Sequence, residues 1–127
     1  MDAPQKPPVF LDLTRIRLPV GAWASILHRT SGVLLAVSLP FCVYLLDRSL
    51  RNEVGFEQVA ALWQHPWVRA WAVILLWATF HHALAGIRLL GVDLGLGLGY
   101  RWARMTAWAV NTASLSSLAI GALLLLP

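Results

Sequence analysis

A chain of 127 residues with 58% hydrophobic and only 13% charged side chains cannot cover a water-facing surface; soluble domains carry roughly a quarter charged residues. Its net charge of +4 sits on basic residues that flank apolar runs, so it signals membrane topology and not a nucleic-acid partner. The lone Cys42, inside an apolar run, excludes a disulfide framework and a thiolate metal cluster.

Residues 1–21 form a polar segment in which Pro4, Pro7, Pro8 and Pro19 exclude a long helix. No apolar stretch follows a basic start, so a secretory signal peptide is not expected, and a bacterial chain inserted through its own first helix is. The run Pro8-Val9-Phe10-Leu11-Asp12-Leu13 is expected to lie along the membrane surface or to dock on a partner.

From residue 22 to 127 the pattern is that of one transmembrane domain. No charged residue occurs in Thr30–Leu46, Ala70–Ile87 or Met105–Pro127. With their flanks, all three stretches meet the roughly 17–25 residues that a spanning helix needs. The expected fold is therefore an all-α membrane protein with spans over residues 26–47, 68–90 and 103–126. Pro40 should kink the first span.

The polar loop from Asp47 to Arg69 is expected to hold a short helix around Phe56–Trp63, with Trp63, Trp67 and Trp71 as an aromatic belt. Gly91, Gly95, Gly97 and Gly99 suit a loose turn before the third span. Lys6, Arg15, Arg17 and Arg29 precede the first span, and Arg88, Arg101 and Arg104 flank the second loop; on the other side Arg48, Arg51 and Arg69 are offset by Asp47, Glu53 and Glu57. The positive-inside rule then places the N-terminus and the second loop in the cytoplasm, in a bacterial inner membrane.

Ionisable groups within a span are costly and tend to be functional. The second span carries His81 and His82 in an aromatic, apolar run. Around His82 the positions one turn away are Ala78, Thr79, Ala85 and Gly86, a stripe of small residues that leaves a groove for a flat macrocycle. Around His81 they are Trp77, Ala78, Leu84 and Ala85, a bulkier setting. Either a histidine here ligates haem iron, in which case it is His82, or it hydrogen-bonds a neighbouring helix or borders water.

Arg88 lies six residues beyond His82, about 9 Å nearer the cytoplasmic surface, at the depth of His28 and Arg29. These three are placed where haem propionates would point, and arginine pairs strongly with carboxylates there. Arg101 and Arg104 read as ordinary flanking residues. Ser25, one turn before Arg29, could join it in holding a quinone carbonyl and stabilising its developing negative charge; as an alternative it caps a helix or bonds its own backbone. The chain shows no paired carboxylates, no nucleophile with a base and no phosphate-binding glycine loop.

The run Ser25-Ile26-Leu27-His28-Arg29-Thr30-Ser31-Gly32 resembles the S-x-x-H-R-x-[ST]-G signature of the succinate dehydrogenase cytochrome b membrane-anchor family. His82-Ala83-Leu84-Ala85-Gly86-Ile87-Arg88, with Asp93 after it, resembles that family's second signature, and the segment 8–13 and the three-span layout are similar too. The resemblance implies haem b shared with a second small membrane subunit, His82 as this chain's axial ligand to the iron, and Ser25 and Arg29 at a ubiquinone site. It implies that His28 and Arg29 lie near the propionates, and it matches Arg88 to the arginine of the second signature. It further implies a flavoprotein subunit that oxidises succinate and an iron–sulfur subunit that relays electrons, with membrane lipid around the anchor. Many relatives have a histidine after the signature arginine; this chain has Leu89. A haem-free structural anchor and a fumarate reductase anchor are the alternatives.

Overall fold

A computed structural model describes residues 17–97 and 99–126; the segment 8–13, expected to lie on the membrane surface or a partner, is outside the described residues. The elements in order are α1 (Val20–Arg51), α2 (Glu53–Leu62), α3 (Pro66–Asp93) and α4 (Tyr100–Leu125). Three of them, α1, α3 and α4, are apolar enough to cross a membrane. Their lengths of 32, 28 and 26 residues exceed a hydrocarbon core of about 30 Å at about 1.5 Å per residue. The protein is an all-α membrane protein of three spans.

The bundle is built on small side chains. Buried positions on α1 are Ala24, Ser31 and Ser38; on α4 they include Ala107, Ser114 and Gly121. Both sets recur every seven residues, the spacing that keeps one seam of a helix against its neighbour. In lipid no hydrophobic force drives helices together, so close backbone approach over small residues must do it. Large apolar residues such as Val37, Phe41 and Leu123 are turned outward, as a lipid-facing surface requires. The third helix, α3, packs on both α1 and α4 and carries the middle of the interior.

Gly121 shows how tight the α3–α4 contact is. A Cβ there would lie 3.0 Å from Leu76 Cδ2 and 3.5 Å from Val73 Cγ1. Gly121→Leu should therefore wedge the two helices apart, at a cost of about 1–3 kcal/mol. Unfolding of the purified complex in a denaturing-detergent titration would report it, and an unshifted midpoint would contradict this packing.

The first span runs through Pro40 without a break in the helix. It overruns its charge-free stretch and ends on Arg48 and Arg51, the latter bonded to Asp47 at 2.6 Å. Asn52 then starts α2: its side chain accepts the Gly55 N–H at 2.7 Å. That cap begins the short helix at Glu53, ahead of the Phe56 start expected from the sequence. At the opposite end the α3–α4 turn uses Gly95 and Gly97 at φ 80° and 71°, a region that favours glycine.

Candidate functional site

The adjacent histidines of α3 diverge. His81 is wholly buried, with Nδ1 2.9 Å from Ser114 Oγ on α4 and Nε2 3.5 Å from the Ala24 carbonyl on α1. The Trp77 ring stacks on it at 5.5 Å. Both ring nitrogens are thus directed at protein atoms, and His81 is a polar tie between all three spans. No role for His81 follows from its own helix, because the serine and the carbonyl that hold it come from other helices.

His82 lies about 100° further round the helix and is only half-buried, on the face shared by α1 and α3. Its Nδ1 is 3.2 Å from the His28 carbonyl oxygen. A carbonyl only accepts, so this bond places the proton on Nδ1 and leaves the Nε2 lone pair available. That is the tautomer an axial imidazole needs, held by the kind of backbone partner that orients metal-binding histidines. The His28 ring stacks on the His82 ring at 4.3 Å with an interplanar angle of 13°.

Glycines make room for this pair. A Cβ on Gly32 would lie 2.9 Å from His82 Cε1, and one on Gly86 would lie 3.7 Å from His28 Nε2. The stripe of small residues expected around His82 is divided in the fold. Ala78 and Ala85 are buried in the bundle interior, at 0% and 3% exposure, while Gly86 is the member beside the histidine pair. The slot for the imidazole is set chiefly by Gly32 on α1. A half-buried histidine with an oriented tautomer, beside a glycine whose Cβ would crowd the ring, fits an axial ligand to haem.

Ser25 and Arg29 belong to the same face. Ser25 precedes Gly32 by seven residues, within about 20° of it around α1, and Arg29 lies between them. Ser25 is inside the helix, whose N-cap is Pro19, so it is not a capping residue. Arg29 is exposed and Ser25 half-buried.

Arg88 is placed differently from the expectation drawn from its depth. Six residues past His82 is about 120° away around the helix, whereas seven past His81 is nearly in line with it. The guanidinium accordingly turns to α4, where Nε donates to Thr106 Oγ1 and Nη2 to the Ala103 carbonyl, both at 3.1 Å. Its level matches that of His28 and Arg29, but its side of the bundle does not.

Residues 3–121 match the family described as succinate dehydrogenase/fumarate reductase transmembrane subunit. A succinate dehydrogenase cytochrome b556 subunit of Coxiella burnetii is 38% identical over 110 residues, covering 86% of this chain and 88% of that one. Proteins of the same name from Rickettsia felis and Paracoccus denitrificans are 30% and 32% identical, covering 87% and 77% of this chain and 86% and 75% of theirs. The chain belongs to the succinate dehydrogenase/fumarate reductase transmembrane subunit family, as a membrane-anchor subunit.

Proposed function

We propose that this chain half-ligates haem b through His82 and forms part of a ubiquinone-reduction site with Ser25 and Arg29, in electron transfer from succinate to quinone. The observation that carries this is the Nδ1 bond of His82 to the His28 carbonyl beside Gly32, which presents a ligand lone pair from the α1–α3 face. One imidazole is half of a six-coordinate site, so the second comes from another small membrane subunit seated on that face. The flavoprotein and iron–sulfur subunits complete the assembly on the arginine-rich side. The basic flanks support a cytoplasmic position for that side and the N-terminus, in a bacterial inner membrane.

Haem b, when bound, supplies a one-electron relay within the membrane. The protein's own residues do the remaining work. His28 covers one face of the His82 ring and, through its carbonyl, fixes the tautomer. Arg29, exposed beside that face, offers a guanidinium to propionates or to a quinone carbonyl, and Ser25 offers a hydroxyl donor one turn away. Both donors stabilise negative charge as quinone is reduced. Arg88, bonded to α4, is left out of the propionate set.

A reduced-minus-oxidised absorption spectrum of the purified complex tests the haem assignment: a b-type signal is expected, and its absence rejects it. For the quinone site, Ser25→Ala and Arg29→Ala should each lower quinone reduction about tenfold or more. Reduction of a soluble dye by the flavoprotein subunit should be unaffected. Equal loss of both activities would point to failed assembly instead.

A further inference from the structure

The α1–α4 side of the bundle, away from His82, carries a groove that the redox role does not use. At the membrane-surface end it opens as a cavity of about 410 Å³ lined by Arg88, Arg104, Tyr100 and the start of α1 at Val20 and Gly21. It continues past Val20 and Trp108 into a second cavity of about 620 Å³, walled by Trp23, Leu27, Trp77 and Leu118. We propose that this groove holds one anionic phospholipid, with its headgroup on Arg88 and Arg104 and an acyl chain along the tryptophan-lined wall.

The polar end is suited to phosphate. Arg88 spends two of its N–H donors on Thr106 and Ala103, which fixes the guanidinium while leaving further donors. Arg104 is exposed at the same opening and adds a second positive charge. The first turn of α1 has no side-chain cap, and its N–H groups at Val20 and Gly21 precede the first bonds of the helix, which run from Ala22 and Trp23 to the Pro19 carbonyl. Among the described residues a Cβ built on Gly21 meets nothing within 4 Å, so these residues leave the mouth beside the donors open. Basic pockets between spans at the membrane surface are a recognised setting for acidic headgroups.

The apolar end has the length of one leaflet. From Trp108 to Leu118 is ten residues of α4, about 15 Å, or half of a hydrocarbon core of about 30 Å. A zwitterionic lipid has the same tail but brings a cation to the two arginines. Charge complementarity therefore selects a lipid of net negative charge.

The test is lipid retention by the intact detergent-purified complex after exchange into vesicles of phosphatidylglycerol with phosphatidylcholine, read by native mass spectrometry. The unaltered complex should keep phosphatidylglycerol in preference to phosphatidylcholine. Arg104→Gln should lower phosphatidylglycerol retention about fivefold, the worth of one basic side chain at the surface. Arg101→Gln, which removes a neighbouring charge outside the groove lining, should change it far less. Gly21→Leu fills the open mouth without altering charge and should also lower retention. Equal effects of Arg101→Gln and Arg104→Gln would mean a diffuse charge effect and overturn the site. Unchanged retention in both Arg104→Gln and Gly21→Leu would mean that protein covers the groove, and would overturn it as well.

Discussion

Replacing His82 by alanine should abolish the six-coordinate b-type signal of the intact complex. The substitution removes the only group among the described residues of the α1–α3 face with both an oriented tautomer and an open edge. His28 does not substitute for it: its backbone carbonyl and ring are positioned against His82 and not in its place. Added imidazole should partly restore the signal by occupying the vacated slot, which separates loss of a ligand from loss of the fold. The contrasting variant is His81→Leu. It removes the ties to Ser114 and the Ala24 carbonyl, while the Ser114 hydroxyl keeps its bond to the Asn111 carbonyl, and should cost about 1 kcal/mol of stability while the signal stays. A His82→Ala complex with the parent spectrum would end the axial assignment.

The second large effect is expected at Gly32, a residue with no chemistry of its own. Its missing side chain is the space in which the imidazole lies: a Cβ would sit 2.9 Å from Cε1 and 3.2 Å from Nδ1. Gly32→Val adds branched bulk at that point and must push the ring away from the His28 carbonyl. Haem retention should fall about 10–100-fold, the usual range for losing an orienting partner of a metal ligand. Subunit content of the purified complex should hold, because the disturbed contact is local to the face. Haem content equal to the parent's, measured per complex, would show that the slot does not set the ring.

The spans were legible because three charge-free runs leave a chain of this length no other way to bury its apolar surface. Their ends were less so: α1 continues past Asp47 to Arg51, since a helix carrying exposed arginines can extend beyond the hydrocarbon into water. The helix of His82 alone favours it over His81 through a stripe of small residues, yet the alanines of that stripe lie between the two histidines and serve the interior. What separates the pair in space is Gly32 and the His28 carbonyl, fifty and fifty-four residues away. No local pattern encodes such contacts. The same holds for Arg88: depth follows from counting residues along one helix, but its direction depends on Thr106 and Ala103 of another.

The inside of this bundle also bears on which changes it tolerates. Among the described residues the largest fully buried side chains are His81, Ser31 and Ser114, while leucines and tryptophans form the periphery. In a water-soluble domain the bulky aliphatic positions are the fragile ones, because truncating them opens voids. Here the sensitivity is reversed. Swaps among greasy residues on the outside cost little, whereas added bulk at a small residue of the seams meets the neighbouring helix, as at Gly121 against Leu76 and Val73.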